Sequence, residues 1–114
     1  MKSIIAVKDA FFYSMSGVKY LLKERAFCQE LIVMATLAVI EIFRETSLGM
    51  RLYMFSSFVL ILFAEAVNSA VEATIDRISL DKHELSKKAK DIASAAVFIT
   101  MVHFAIVWIL SFIL

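Results

Sequence analysis

A chain of 114 residues with 61% hydrophobic side chains and a mean hydropathy of +0.83 has the length of one domain and is far more apolar than the roughly 45 to 50% usual in soluble domains. A fold this small buries the smallest share of its surface, so the natural solvent for its outside is lipid. The net charge of +1 offers no basic field for nucleic acid, and the single Cys28 excludes an internal disulfide and a multi-cysteine metal site.

In chain order, the opening "MKSIIAVKDAFFY" is broken by Lys8 and Asp9 and has no small-residue cleavage signal, so it does not read as a secretory peptide and is expected to be retained. Ile4, Val7, Phe11, Met15, Val18 and Leu22 recur at steps of three and four, with Lys8, Asp9, Lys19 and Lys23 elsewhere on the wheel. That pattern predicts an amphipathic helix over 3–23 lying on the bilayer surface or on the helix bundle. Leu31 to Phe43 and Leu52 to Ala64 are apolar stretches that reach spanning length if helix continues into their polar flanks, giving spans over 25–45 and 48–78. Between them "RETSLGMR", residues 44–51, contains the turn formers Ser47 and Gly49 and allows only a tight reversal. Cys28 reads as a small helix-packing residue, and Glu41 and Glu45 beside the reversal are expected in solvent.

After the second span, "SLDKHELSKKAK" is the one strongly polar connection, and Asp81 with Glu84 has capping-box spacing for the next helix. His83 within it is expected to be solvated. From Ile92 to Leu114 there are 23 residues without Asp, Glu, Lys or Arg, about 35 Å of helix, enough to cross hydrocarbon. The third span, with a polar start, is placed over 83–114. His103 inside it reads as a packing residue and Trp108 as an interfacial anchor. The expectation is therefore an all-α membrane protein with a surface helix and three transmembrane helices in a single domain, 1–114.

Lys2, Lys8, Lys19, Lys23 and Arg25 precede the first span, and Arg77, Lys82, Lys87, Lys88 and Lys90 lie between the second and third; the remaining connection has only Arg44 and Arg51. Ten cations against two place the N-terminus and the long connection in the cytoplasm and the C-terminus outside.

At about 100° per residue, Glu65, Glu72 and Asp76 fall within about 40° of one another, with Asn68 about 60° to one side. Counting from the outer turn, Glu30 and Glu65 reach the same depth in antiparallel helices, about 21 Å, and Glu24 matches Glu72. Lys90 and Asp91 arrive at the same boundary from the third span. Ionisable groups near hydrocarbon are costly and are functional or paired by default; the bland alternative is that they mark where helices leave the membrane. Two carboxylates and an amide suit Mg²⁺, a lysine complements phosphate, and a carboxylate can take a proton from an attacking hydroxyl, which together meet the needs of phosphoryl transfer. Neither GxxxxGK[ST] nor GxGxxG is present, which excludes a soluble-type nucleotide fold.

At these residues the sequence resembles the small integral-membrane diacylglycerol kinases of bacteria, a family that also includes undecaprenol kinases. "EAVNSAVEATIDRI" is similar to the family pattern E-x-x-N-[ST]-A-[IV]-E-x-x-x-D, "HELSKKAKDIASAAV" to its K-A-K-D-x-x-[SA]-A-A-V segment, and "ERAFCQE" to its upstream acidic motif. The resemblance implies a homotrimer with active sites shared between subunits, ATP as donor and a divalent metal, Mg²⁺. By the same resemblance Glu65 is the catalytic base and Glu24 and Glu72 are metal ligands. Asn68, Asp76, Lys90 and Asp91 belong to the nucleotide site, and Gln29 and Glu30 support it. The sequence departs from the family where Cys28 replaces the usual Arg and where the spacing from Gly17 to Glu24 is one residue short, both of which bear on the surface-helix register.

The function so implied is phosphorylation of diacylglycerol to phosphatidic acid at the cytoplasmic interface. Undecaprenol kinase is the alternative within enzymes. A small ion-conducting or transporting bundle is the alternative from another class, but a conduction path should carry ionisable groups across the membrane, and here they stop at one interface.

Overall fold

In the computed structural model of the chain, residues 2–114 are described, the side chain of Lys2 excepted, so this member of the N-terminal basic set lies outside the described side chains. Four helices follow one another: α1 (Lys2–Leu21), α2 (Arg25–Ile42), α3 (Leu48–Ile78) and α4 (Glu84–Ile113). The chain forms two compact units, Met1–Thr36 and Leu37–Leu114.

In the first unit α1 carries its apolar residues as a continuous exposed face, Ile4 and Val7 being 72% and 71% accessible. The chain leaves α1 through a tight turn in which the Glu24 N–H donates to the Leu21 carbonyl at 2.9 Å. The Glu24 carbonyl then accepts from the Cys28 N–H at 3.1 Å and starts α2. Cys28 does more than pack: its thiol donates to the Leu22 carbonyl at 2.9 Å and ties the new helix to the turn before it. Lys23 lies over the Tyr20 ring at 5.7 Å.

The second unit is dominated by a hairpin of α3 and α4. Their partners run in opposite senses: Asp76 meets Lys90, and Phe58 meets Phe104 and Trp108. The buried seam uses Met54, Ser57, Phe58, Ile61 and Ala64 on α3 and Ala93, Val97, Val107 and Ser111 on α4, the three-and-four spacing of packed helices. Ser57 is fully buried and its hydroxyl donates to the Met54 carbonyl at 2.5 Å, so the seam leaves no unpaired hydroxyl there. Phe58, Phe104 and Trp108 form one aromatic cluster with centroids 5.0 to 5.6 Å apart. Trp108 thus packs inward and is not simply an interfacial anchor, while His103 packs beside Tyr53 at 6.1 Å.

Outside the seam the helices are uncovered. α3 and α4 are long and apolar enough to cross a membrane, and only 28% and 17% of their apolar windows are buried. A core helix of a water-soluble protein would be mostly buried, so these surfaces suit lipid. α2 is no less apolar on average than α3 but carries three charged residues, Arg25, Glu30 and Glu41, in its 18 residues.

The ends of the hairpin are fixed by caps. Ser47 accepts from the Met50 N–H at 3.1 Å and starts α3, which places Gly49 inside the first helical turn; the reversal is 43–47. Replacing Ser47 with Ala is expected to lower stability by about 1 kcal/mol, read as an earlier unfolding midpoint in a denaturing-detergent titration. α4 starts differently from the expected Asp81 and Glu84 box. The His83 imidazole accepts from the Leu85 N–H at 3.1 Å, while the Asp81 N–H donates to the Ser79 hydroxyl at 3.0 Å and is drawn into the turn.

The outer turn also corrects the expectation for Glu41. Glu41 is only 9% accessible and is ion-paired with Arg44, whereas Glu45 is exposed. Arg44 donates to the Ser111 hydroxyl and carbonyl at 3.2 and 3.1 Å and rests 3.9 Å over the Phe112 ring. Arg51 donates to the Arg44 carbonyl at 2.6 Å. A short reversal folds the guanidinium of Arg44 back over the end of α4, and the carboxylate three residues earlier follows it out of water.

Candidate active site

The inner end of α3 changes character after Ala64, which is buried at 6% accessibility against the hairpin seam. Glu65 and Asn68 are half-buried, Glu72 and Asp76 exposed, and Ile75 between them is buried at 8%. The acidic stripe therefore runs along α3 from the rim of the packed seam into water. Asn68 donates from Nδ2 to Glu72 Oε1 at 3.2 Å, an i,i+4 pair on one face. Its own Oδ1 is buried without a hydrogen-bond partner. An amide oxygen left in that condition costs about 1 to 3 kcal/mol.

Lys90 Nζ donates to Asp76 Oδ1 at 2.8 Å and joins α4 to α3 beside the stripe. The side chains are 41% and 48% accessible, so the pair is worth at most about 1 kcal/mol and leaves both groups available to a ligand. Asp91 is paired with Lys87 at 2.6 Å along α4. Lys87, counted above only among the cytoplasmic cations, has the four-residue spacing to Asp91 that is the usual signal for such a pair.

Next to these pairs lies an open cleft of about 690 Å³, lined by Asp81, Lys82, His83, Lys87, Lys90 and Asp91 among others. Its size falls within the roughly 300 to 1,000 Å³ of small-molecule sites, and the ammonium groups of Lys82, Lys87 and Lys90 border it together with the carboxylates of Asp81, Glu84 and Asp91. Residues 81–83, expected as part of a polar connection with His83 in solvent, form a wall of this cleft. Their position immediately before the "HELSKKAKD" stretch was the available signal.

Glu24, Gln29 and Glu30 belong to the first unit. Glu24 sits in the turn before α2 and is exposed; Gln29 is exposed and Glu30 half-buried one turn and more into α2. Among the described residues no three His, Cys, Asp or Glu side chains come together as a ready metal cluster. At the stripe it is the Asn68 amide nitrogen that meets the Glu72 carboxylate, and that exposed carboxylate is a hard oxygen donor of the kind Mg²⁺ takes one or two at a time beside phosphate.

A family model described as prokaryotic diacylglycerol kinase matches residues 12–112, which takes in the stripe, the cleft and the hairpin. The chain belongs to the prokaryotic diacylglycerol kinase family. It is similar to a diacylglycerol kinase of Pseudomonas aeruginosa, 37% identical over 103 residues that make up 90% of this chain and 84% of that one. The diacylglycerol kinase of Escherichia coli K12 is 38% identical over 97 residues, 84% of this chain and 80% of its own. That of Haemophilus influenzae is 43% identical over 98 residues, 84% and 82%. The family membership identifies the chain as a membrane-embedded kinase, and α3 and α4 are the helices suited to embed it.

Proposed function

We propose that this chain transfers the γ-phosphoryl group of ATP to the primary hydroxyl of diacylglycerol, giving phosphatidic acid and ADP. The observation that carries the reading is the Asn68, Glu72, Asp76 and Lys90 grouping beside a cleft lined by charged groups of both signs, in a chain of this family. Undecaprenol is the alternative acceptor and is not favoured, because the relatives described above are named diacylglycerol kinases.

In this reading the polyphosphate lies in the cleft, with Lys90 moving from Asp76 to phosphate oxygens and Asp91 and Asp76 holding the nucleotide's polar edges. Glu65, at the rim where lipid meets water, accepts the proton of the lipid hydroxyl as its oxygen attacks the γ-phosphorus and the bond to ADP breaks. Half-burial suits that role, since a base there faces both a lipid substrate and an aqueous donor. Glu24 and Glu72 would supply hard oxygens for Mg²⁺, whose chemistry when bound is to neutralise charge on the phosphates, and Asn68 would hold the nucleotide beside them. Gln29 and Glu30 support this arrangement from α2.

The chain acts as a single membrane kinase domain over 1–114, with α1 on the surface and α2 as a third crossing. Three copies assemble with sites shared between subunits, so that Glu24 and Glu72 are drawn together. The inner membrane of a bacterium is the location, with the N-terminus and the 79–83 turn in the cytoplasm, where ATP is. Lys82 is then expected to react with a membrane-impermeant amine reagent in inside-out vesicles and to be protected in intact cells; labelling from outside would reverse the orientation.

The test of function is purified protein in mixed micelles with labelled ATP and Mg²⁺, offered diacylglycerol or undecaprenol in parallel. Label in phosphatidic acid supports the proposal. Label only in undecaprenyl phosphate moves it to the alternative acceptor, and no transfer to either overturns it.

A further inference from the structure

Three ammonium and three carboxylate groups line the cleft at the inner turn, so its charges cancel in sum and their pairing decides what it can hold. A polyphosphate brings several negative charges into this space, and like charges at close range repel even across water. A carboxylate on the wall is therefore an obstacle unless a cation answers it. Asp91 is answered from its own helix: Lys87 Nζ donates to Asp91 Oδ2 at 2.6 Å. Lys90, which lines the same cleft, is engaged elsewhere, by Asp76 of α3.

The Lys87 pair adds little to the stability of the fold, because its side chains are 79% and 63% accessible. Its effect is on the face that Asp91 shows to the cleft. One carboxylate oxygen is engaged by the ammonium, the pair carries no net charge, and the other oxygen keeps a direction in which it can accept a hydrogen bond. The cation is secure at neutral pH, since the hydrogen bond to Asp91 and then the attraction of its charge raise the pKa of Lys87 from the ordinary lysine value. Spacing assigns the partners: residues four apart on a helix face each other, and residues one apart, such as Lys90 and Asp91, do not.

We propose that Lys87 is a positioning residue of the nucleotide site that acts through Asp91, cancelling that carboxylate's charge toward the incoming polyphosphate and aiming its second oxygen at a hydroxyl or amino group of the nucleotide. Given the nucleotide reading of the cleft, on which this assignment rests, the two lysines divide the work. Lys90 changes partner when phosphate arrives, and Lys87 keeps the partner it has.

The test is a double-mutant cycle on nucleotide binding, with a fluorescent trinitrophenyl derivative of ATP titrated onto the full chain in detergent micelles and displaced by ATP or by adenosine. Lys87→Met is expected to raise the Kd of ATP by roughly threefold to tenfold, and that of adenosine less, because the uncovered charge of Asp91 meets phosphate. Lys87→Arg should stay close to the wild type, since a guanidinium reaches the same carboxylate. In an Asp91→Asn background, where an acceptor oxygen remains but the charge is gone, Lys87→Met should have no further effect. In mixed micelles the loss should fall on the KM for ATP rather than on kcat. Both side chains are exposed, so the substitutions leave the fold intact, as circular dichroism would show. An effect of Lys87→Met that persists undiminished in the Asp91→Asn background overturns the proposal in favour of a direct contact between Lys87 and phosphate, and a Kd that ignores Lys87→Met overturns it in favour of a solvated surface pair. A wild type that binds no nucleotide removes the nucleotide reading of the cleft and this assignment with it. No acceptor lipid is present in the binding measurement, so failure of diacylglycerol as substrate leaves its outcome untouched.

Discussion

Glu65→Gln is expected to abolish phosphoryl transfer while the protein remains folded and helical. Glutamine keeps the shape and hydrogen-bonding reach of the side chain but cannot take the hydroxyl proton, and loss of a general base typically costs about 10² to 10⁴ in rate. Stability should not fall, because Glu65 is half-buried where α3 emerges from the apolar seam, and removing a charge from such a boundary relieves desolvation. The measurement is turnover in mixed micelles alongside far-ultraviolet circular dichroism and an unfolding titration. Wild-type turnover in the variant would remove Glu65 from the role of base.

Glu24→Gln and Glu72→Gln should each raise the Mg²⁺ concentration for half-maximal activity, by roughly tenfold or more, since each takes one hard anionic oxygen from the same ion. The effects should not add in the double variant, as is usual for groups acting through a shared partner. Titrating activity against Mg²⁺ for the wild type, both single variants and the double variant completes the cycle. If sites are shared between subunits, single-variant chains mixed before assembly should recover part of the activity, because one interface can then collect both intact carboxylates. An unchanged Mg²⁺ dependence in both single variants would reduce these residues to charges marking helix ends.

The helices were legible because their signals are long. The uncharged run from Ile92 onward and the 52–64 stretch reveal α4 and α3, and the three-and-four spacing from Ile4 to Leu22 reveals α1. The stripe on α3 was legible too, since angular position along a helix follows from sequence spacing alone; Asn68 and Glu72 do share a face, and Asp76 and Lys90 do meet. What failed depended on chain reversal. Glu41 looks like a solvent-facing charge until Arg44 turns back over Ser111 and takes the carboxylate inward. His83 is not among the favoured capping residues, yet an imidazole nitrogen in the right place accepts an orphan N–H as a hydroxyl would. The cleft wall at 81–83 is likewise a product of the turn, with nothing periodic to announce it.

The length of α3 has a further consequence. Its 31 residues make a rod of about 46 Å, while the hydrocarbon of a bilayer is about 30 Å thick. Some ten residues at the inner end are surplus, and they carry Glu72 and Asp76, the far part of the acidic stripe. With Ser47 and the outer turn fixing one end of the rod, the bilayer's thickness sets how far the other end projects. The lipid hydroxyl rides at a depth chosen by the membrane, whereas Glu65 rides at a depth chosen by the hairpin. A change of a few ångströms in acyl-chain length, small beside the 5.4 Å pitch of a helix yet large beside a hydrogen bond, therefore brings the two into register or takes them out of it. If Glu65 is the base proposed above, the hairpin is a ruler held against the membrane, and the alignment of substrate with base is read on its scale.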